Sequence, residues 1–461
     1  MKSKVLFIVN FIPHLLMSQN LPVLTQSEFQ HLVSEHHPIA HQARLVAERG
    51  EMAVSQARGS FDPKLVSKFD TKTFDGKDYF QLWDTYVNFP TILNFDIKAG
   101  YERNSGQYLN PENNVPTDGL YYAGISVPLG RGLIHNQRNI NLKKSELTRQ
   151  ALQNQASTVF NNLMLDANFT YWNWYESYMY LQLVQRNLRL ISERYEGIRQ
   201  NVLNGENAAM DSVESKIQKQ KWSNDLRKAT VEFQNASLKM QNFLWRIELD
   251  APDLKPGFVL DPSVMNMENS VDFAIRNNPD LRTLKIQALD FELDRKMSAE
   301  MIKPEFNVNY NVLLQNNNGE SANAGLSNNY KAGFNFSLPI LIRKERAKLQ
   351  QAKIKLREID LKIDQKTTEL INKIEQLYAK AETLEAMVRQ QEEMVLGFET
   401  LLQGEKSKFD NGESSVFLVN SRENKKIQAE IKLIQLRADY AKTLGLLQWT
   451  SGTHTKEFIV P

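Results

Sequence analysis

Residues 340–396 read ILIRKERAKLQQAKIKLREIDLKIDQKTTELINKIEQLYAKAETLEAMVRQQEEMVL, without a glycine or a proline. Leu349, Leu356, Ile363, Leu370, Leu377 and Leu384 recur every seven residues. A sustained seven-residue apolar period keeps one seam of a helix turned toward a partner and imposes a left-handed supercoil. The neighbouring core-type positions hold Lys366, Lys373 and Lys380, so the seam is narrower than that of a closed two-stranded zipper. A second run, Leu181, Val184, Leu188, Ile191, Tyr195, Ile198 and Val202, keeps a 3-4-3-4 spacing.

Helix breakers are missing where long helices need them missing. None of the 15 prolines falls between Pro128 and Pro252 or between Pro339 and Pro461. Neither glycine nor proline occurs in 133–196, 206–251, 340–396 or 413–444. A helix of ~70 residues is ~105 Å long, which no compact domain requires. Between these stretches the period changes to two. Phe306, Val308, Tyr310, Val312 and Leu314 alternate with Asn307, Asn309 and Asn311, and Tyr330, Ala332, Phe334, Phe336 and Leu338 with Lys331, Gly333, Asn335 and Ser337. Leu93 to Glu102 and Tyr121 to Leu129 follow the same rule. These are strands with one apolar and one polar face, of a length suited to a transmembrane barrel. Asn- and Gly-rich loops join them, at 104–119 and 316–329.

The landmarks occur twice in one order. His36-His37-Pro38 precedes Pro63 as Asn277-Asn278-Pro279 precedes Pro304. Each strand region closes at a proline, Val127-Pro128-Leu129 and Leu338-Pro339-Ile340. Each long helix ends at Asn-Gly-Glu, Asn204-Gly205-Glu206 and Asn411-Gly412-Glu413, where the glycine supplies a left-handed position for reversal. The pattern is an internal duplication. It gives a first repeat over 20–252 (strands 63–130, helical hairpin 131–250), a second over 253–450 (strands 304–339, helical hairpin 340–449) and a tail over 451–461. The stretch 65–89 is strand-like surplus to this scheme, expected as extra surface or equatorial structure.

The ends and the composition add bounds. Lys2 and Lys4 precede an apolar stretch from Val5 to Leu16, which reads as a secretory signal over 1–19; the alternative is a buried N-terminal segment. Across 461 residues, 56 Lys and Arg against 54 Asp and Glu leave a net charge of +2, so no basic footprint for nucleic acid exists. Absence of cysteine excludes disulfides, a thiol nucleophile and Cys-ligated metal. A mean hydropathy of −0.47 excludes a bundle of membrane-spanning helices. No phosphate loop, dinucleotide fingerprint or hydrolase triad context is present, which argues against an enzyme and leaves no cofactor to expect.

Over about residues 25–450 this order resembles the TolC-like outer-membrane efflux protein family, through the Asn-Pro-type motif and its twin, the strand-ending prolines and the stretches after Gly205 and Gly412. The resemblance implies an α+β membrane protein. Tandem long helical hairpins would build a periplasmic α-barrel, and four strands from each chain would enter a β-barrel shared by a homotrimer in the outer membrane of a Gram-negative cell. It implies a passive exit duct for drugs, ions or polypeptides, in a tripartite efflux or type I secretion system. Its partners would be a periplasmic adaptor docking at the turns Asn204, Gly205, Asn411 and Gly412, an inner-membrane transporter that supplies the energy, and outer-membrane lipid. The rival reading is a periplasmic coiled-coil adaptor or scaffold without a pore.

In the family, carboxylates six and nine residues past the second-repeat glycine narrow the entrance; here those positions are Leu418 and Ser421. The first-repeat equivalents are Asp211 and Glu214, one turn apart on one helical face. Two readings stand: a cation-favouring ring of six carboxylates in a trimer, or an ordinary acidic first helical turn. His31, His36, His37 and His41 include an i, i+4 pair that can hold a metal, but exposed imidazoles at a helix start fit better. The aromatic run Phe169, Tyr171, Trp172, Trp174, Tyr175, Tyr178 and Tyr180 wraps most of its helix. It reads as packing against a second layer, with a ligand-stacking patch as the alternative.

Overall fold

The computed structural model describes residues 22–206, 208–245, 254–257, 267–314 and 329–455. The expected signal over 1–19 and the chain end at 458–461 lie outside them, as does nearly all of the loop 316–329. Sixteen main elements follow: β1 (Val23–Leu24), α1 (Gln26–His36), α2 (Pro38–Arg58), β2 (Lys64–Phe74), β3 (Lys77–Pro90), β4 (Asp96–Ser105), β5 (Leu120–Pro128), α3 (Gln137–Leu203), α4 (Ala209–Leu244), β6 (Lys255–Pro256), α5 (Met267–Asn277), α6 (Pro279–Glu300), β7 (Glu305–Leu314), β8 (Tyr330–Ser337), α7 (Arg343–Asp410) and α8 (Val416–Ser451). The element lengths run in parallel in the two halves. Helix α3 has 67 residues and α7 has 68, while α4 and α8 have 36 each. At 1.5 Å per residue α3 and α7 are each about 100 Å long. No helix among the described residues is long and apolar enough to cross a membrane.

The chain divides into two compact units. One comprises residues 39–163, 266–378 and 447–461. Its centre is a six-stranded, wholly antiparallel sheet in the order β2-β3-β4-β5-β7-β8. The pairing of β5 with β7, from Tyr121↔Leu314 to Pro128↔Asn307, joins strands of the two repeats. The segment 65–89 is thus not separate surface or equatorial structure: it is the hairpin β2–β3, and it continues the same sheet. Asp75 (φ 49°) and Gly76 (φ 67°) form its turn, a positive-φ pair that matches the right-handed twist of the flanking strands. The chain therefore brings six strands to this sheet, two more than the resemblance implies.

In the same unit, Asn278 caps α6: its side-chain oxygen accepts from the N–H groups of Asp280 and Leu281 at 3.0 and 3.1 Å. Its amide also donates to the Thr450 carbonyl at 2.9 Å, which ties α6 to the end of α8. The α2 stripe Ala40, Ala43, Ala47 and Gly50 is buried and small. A Cβ at Gly50 would lie 3.1 Å from the Arg149 Cα, so α2 packs closely on α3. Lys144 on α3 reaches Asp294 (2.6 Å) and Asp290 (3.3 Å) on α6.

The other unit comprises residues 1–38, 164–265 and 379–446. Leu181, Val184 and Ile191 of the α3 seam are buried against Trp222 and Ala229 of α4 and Ile427 of α8. The aromatic run is buried or half-buried in the same unit. Tyr171, Trp172 and Trp174 are fully buried, Tyr171 and Trp172 meet edge to face at 5.2 Å, and Phe29 of α1 stacks on Tyr171 at 6.0 Å. The Tyr171 hydroxyl lies 2.8 Å from the Leu24 carbonyl and 2.7 Å from that of Gly257, and accepts from the Gly257 N–H at 3.1 Å. One side chain thereby fastens the two-stranded parallel ribbon β1–β6 to the long helix. Burial among these rings also pushes the Tyr171 hydroxyl's pKa upward. This is the packing role expected of the run.

Candidate functional site

The sheet has two chemically distinct faces, set by the alternation of its strands. On one face the register aligns Phe89 with Ile97, Ile97 with Ile125, Ile125 with Tyr310 and Tyr310 with Ala332. Val87, Ala99, Ala123, Val312 and Tyr330 form the next row, and Val308 lies opposite Phe334. The face is apolar and open: Ile97, Ile125, Tyr121, Phe334 and Phe336 are all exposed. Trp83, Tyr101, Tyr121 and Tyr330 stand toward one margin and Phe89, Phe306 and Phe336 toward the other. Aromatic girdles flanking an apolar band are the mark of a lipid-facing sheet.

The opposite face carries Lys64, Lys68, Asp84, Lys98, Glu102, Ser126, Asn307, Asn309, Asn311, Lys331 and Asn335. Its groups engage one another. Tyr122 donates to Asp84 at 2.8 Å, and Lys68 and Lys98 lie over the Tyr86 ring at 5.7 and 5.4 Å. Near the helix-bound ends of the strands a cavity of about 510 Å³ is lined by Asn94, Asp96, Arg131, Arg138, Glu305 and Asn307 among others. Arg138 donates to Asp96 at 2.6 Å, and Arg131 meets Glu305 at 3.1 Å. A polar face suits a lumen, and two of its charged pairs, Arg138–Asp96 and Arg131–Glu305, compensate each other.

In the other unit, the two hairpin turns share one backbone geometry. Glu206 N–H bonds to Asn201 O (2.8 Å) and Gly205 N–H to Val202 O (3.1 Å). In the second turn, Glu413 N–H bonds to Lys408 O (2.8 Å) and Gly412 N–H to Phe409 O (3.0 Å). With Gly205 at φ 82° and Gly412 at φ 78°, both are Schellman caps. Asn204 and Asn411 each close the last helical turn before their glycine, by N–H bonds to Gln200 and Ser407. Asp211 sits in the first turn of α4, with Glu214 one turn further, and both are half-buried. Their second-repeat counterparts are the exposed Leu418 and the half-buried Ser421. Exposed Leu203, Met210, Val213 and Phe417 surround these turns in the chain.

Polar ties between the hairpins carry no signal in the sequence. Arg194 on α3 grips Glu423 on α8 with both guanidinium nitrogens, at 2.7 and 2.8 Å, and also donates to Asn420 at 2.9 Å. Arg186 reaches both carboxylate oxygens of Glu430 from a single guanidinium nitrogen, at 2.8 and 2.9 Å. Within the second hairpin, Lys426 pairs with Glu399 and holds its carboxyl below the usual range. Ser414 donates to Glu405 at 2.6 Å, and that bond lowers the Glu405 carboxyl likewise, aided by Arg422. His37 stacks on Phe243 at 5.5 Å, and burial pushes its imidazole below the ordinary value. Among the described residues no three His, Asp or Glu side chains converge as a metal site.

An antiparallel sheet with one apolar and one polar face, in a chain that repeats a long helical hairpin, is the pattern of the outer-membrane channels that combine strands with long helices. Residues 271–452 match the family model described as outer membrane efflux protein, which bears out the resemblance read from the sequence. No curated protein matches the chain in sequence. Solved structures share its fold at low identity. The Campylobacter jejuni CmeC outer membrane channel is 12% identical, with 94% of this chain and 88% of that one covered and a TM-score of 0.68. The Neisseria gonorrhoeae MtrE outer membrane channel, solved in its open state, is 13% identical, with 93% and 88% covered and a TM-score of 0.67. The Vibrio cholerae outer membrane protein VceC is 11% identical, with 93% and 96% covered and a TM-score of 0.66. The fold is that of the outer-membrane efflux channels, and nothing in it favours the poreless adaptor.

Proposed function

We propose that this chain is the protomer of an outer-membrane efflux channel, a passive duct assembled from three copies. The observation that carries the reading is the two-faced sheet, one face apolar and the other polar, on a chain whose helices reach about 100 Å. An open sheet edge cannot stand in hydrocarbon, because its unpaired N–H and C=O groups have no water to satisfy them. Closure with neighbouring copies removes the edges and leaves the polar face lining a lumen. Helices of that length extend well past a hydrocarbon layer of about 30 Å, which suits passage into the periplasm.

The remaining roles follow from that assembly. The Schellman turns at Asn204-Gly205 and Asn411-Gly412, with apolar side chains exposed beside them, are the docking points for a periplasmic adaptor. An inner-membrane transporter supplies the energy, since a conduit carries none of its own. Asp211 and Glu214 from three chains line the entrance as a cation-favouring ring. The test joins two measurements on the detergent-purified protein. Native mass is expected to give a trimer, and a planar bilayer is expected to show discrete single-channel conductance. A monomer without conductance would end the proposal.

A further inference from the structure

We infer that the edge strand β2 of one chain pairs with the edge strand β8 of the next, so that the assembled wall is an eighteen-stranded barrel in which the hairpin β2–β3 is a full structural member. The inference rests on the trimeric channel reading and deepens it. The resemblance implies four strands from each chain and hence twelve; the sheet here has six.

Three observations place the hairpin in the wall rather than beside it. First, the ladder is continuous, with a single register shift between Lys72 and Thr73 near the hairpin turn. Strand β3 pairs with β4 over Gln81↔Ser105 to Pro90↔Asp96 and with β2 over Lys64↔Asn88 to Phe74↔Lys77. Second, the hairpin obeys the same division of faces. Leu65, Phe69, Trp83, Val87 and Phe89 stand on the apolar face, in rows with Ala99, Arg103 and Ile97, while Lys64, Lys68 and Asp84 stand on the polar one. Third, the polar face is knitted across four strands: Lys68 of β2 and Lys98 of β4 flank Tyr86 of β3, and Tyr122 of β5 bonds to Asp84 of β3. A hairpin lying outside the barrel would turn those charges into lipid.

The edges then fit one partner, a second copy of this chain. Strand β8 is exposed along its whole length, and β2 at all but one residue. Because six strands alternate in direction, β2 and β8 run oppositely, and head-to-tail closure continues the antiparallel order without a mismatch. Phe334 and Phe336 on the apolar side of β8 meet Leu65 and Phe69 on the same side of β2, all exposed in the single chain. Barrel diameter grows about linearly with strand number, so eighteen strands enclose roughly twice the cross-section of twelve. The mouth would pass correspondingly bulkier cargo.

The chain has no cysteine, so introduced pairs report cleanly. The apolar-face positions Ser67→Cys, Phe69→Cys and Thr71→Cys on β2 are each combined with Ala332→Cys, Phe334→Cys or Phe336→Cys on β8 in the full chain. Ala99→Cys on β4 with the same β8 positions is the control. After oxidation or a short bis-thiol linker, at least one β2–β8 pair is expected to give covalent dimers and closed trimers on denaturing gels, with the control pairs silent. A native mass is taken for every variant. A trimer in which no β2–β8 pair links, or in which β4 links to β8, overturns the eighteen-stranded wall and leaves the channel reading standing. A monomer by mass overturns both.

Discussion

Arg194 and Glu423, 229 residues apart in sequence, form a forked ion pair at 2.7 and 2.8 Å between α3 and α8. The carboxylate side chain is 8% exposed and the guanidinium side chain 22%. Removing the cation alone strands a buried charge, whereas removing both charges does not. Arg194→Met is expected to cost about 3 kcal/mol, read as an earlier loss of helical circular dichroism on heating in detergent. Arg194→Met with Glu423→Leu is expected to recover most of the loss. Equal destabilisation by the single and double variants would show that the pair's charge is not what holds these helices.

Tyr171→Phe removes one oxygen from a fully buried site. The Leu24 and Gly257 carbonyls lose their shared donor and the Gly257 N–H loses an acceptor. The Gly257 N–H and the Leu24 carbonyl keep their bond to each other at 3.1 Å, so the expected cost is that of the hydroxyl's own bonds, about 1 kcal/mol. The ring still packs on Phe29 and Trp172, so the effect is local. Amide exchange is expected to quicken at residues 22–25 and 254–257 with little change in α7. Uniform quickening would mean that the hydroxyl holds more than the ribbon.

Much of this architecture is visible in one sequence because its signals are periodic. The absence of Gly and Pro from 340–396 marks a helix that runs from Arg343 to Asp410. The seven-residue spacing finds Leu370, Leu377 and Leu384, all of which are buried. The Asn-Gly-Glu pairs give two turns of one geometry. Segment 65–89 had its own signal in Phe74-Asp75-Gly76-Lys77, an Asp-Gly turn between alternating runs. Its alternation is weaker, since Ser67 and Thr71 interrupt the apolar face of β2, and period two alone does not say which strand is its neighbour. Arg194–Glu423 and the Tyr171 hub lack any periodic signal. They depend on which helices lie side by side, and composition and spacing do not encode that.

His37 provides a pH test. Burial against Phe243 disfavours its charged form and holds its pKa below the ordinary 6.5. The unfolded chain therefore takes up a proton before the folded one does. The stability this residue contributes is whole above about pH 6.5 and declines as the pH falls from there through the lower folded value. His37→Phe keeps the stack and removes the titration, so it is expected to flatten the change in melting temperature between pH 7.5 and 5.5. Glu399 and Glu405, both held low, lose their contributions only further down, as the pH falls below their ordinary 4.5. An unchanged slope in His37→Phe would assign the acid sensitivity elsewhere.

Two glycines separate backbone conformation from close approach. Gly412 has φ 78° and open space around a built Cβ, so Gly412→Ala meets only left-handed strain, about 1–2 kcal/mol. Its effect is expected in amide exchange at the turn, with barrel assembly intact. A Cβ at Gly124 would overlap the Tyr310 carbonyl and the Asn311 side chain across the β5–β7 pairing. Gly124→Ala is expected to abolish heat-modifiable gel mobility, the signature of a closed barrel. Retained mobility would show that the two repeats tolerate separation at this seam.

Asp211 and Glu214 decide whether the helical entrance carries charge of its own. Both lie in the opening turns of α4, just past the Schellman turn at Gly205, and the corresponding Leu418 and Ser421 place no charge in the second repeat. If three copies bring these carboxylates around one axis, six negative charges raise the local cation concentration. Asp211→Asn with Glu214→Gln removes the charge at nearly constant shape. The reversal potential under a KCl gradient is then expected to move toward zero, and single-channel conductance at low salt to fall several-fold. The difference should narrow at 1 M salt, where the screening length drops to about 3 Å. Unaltered selectivity and conductance at low salt would reduce the two carboxylates to an acidic first turn that favours the helix dipole.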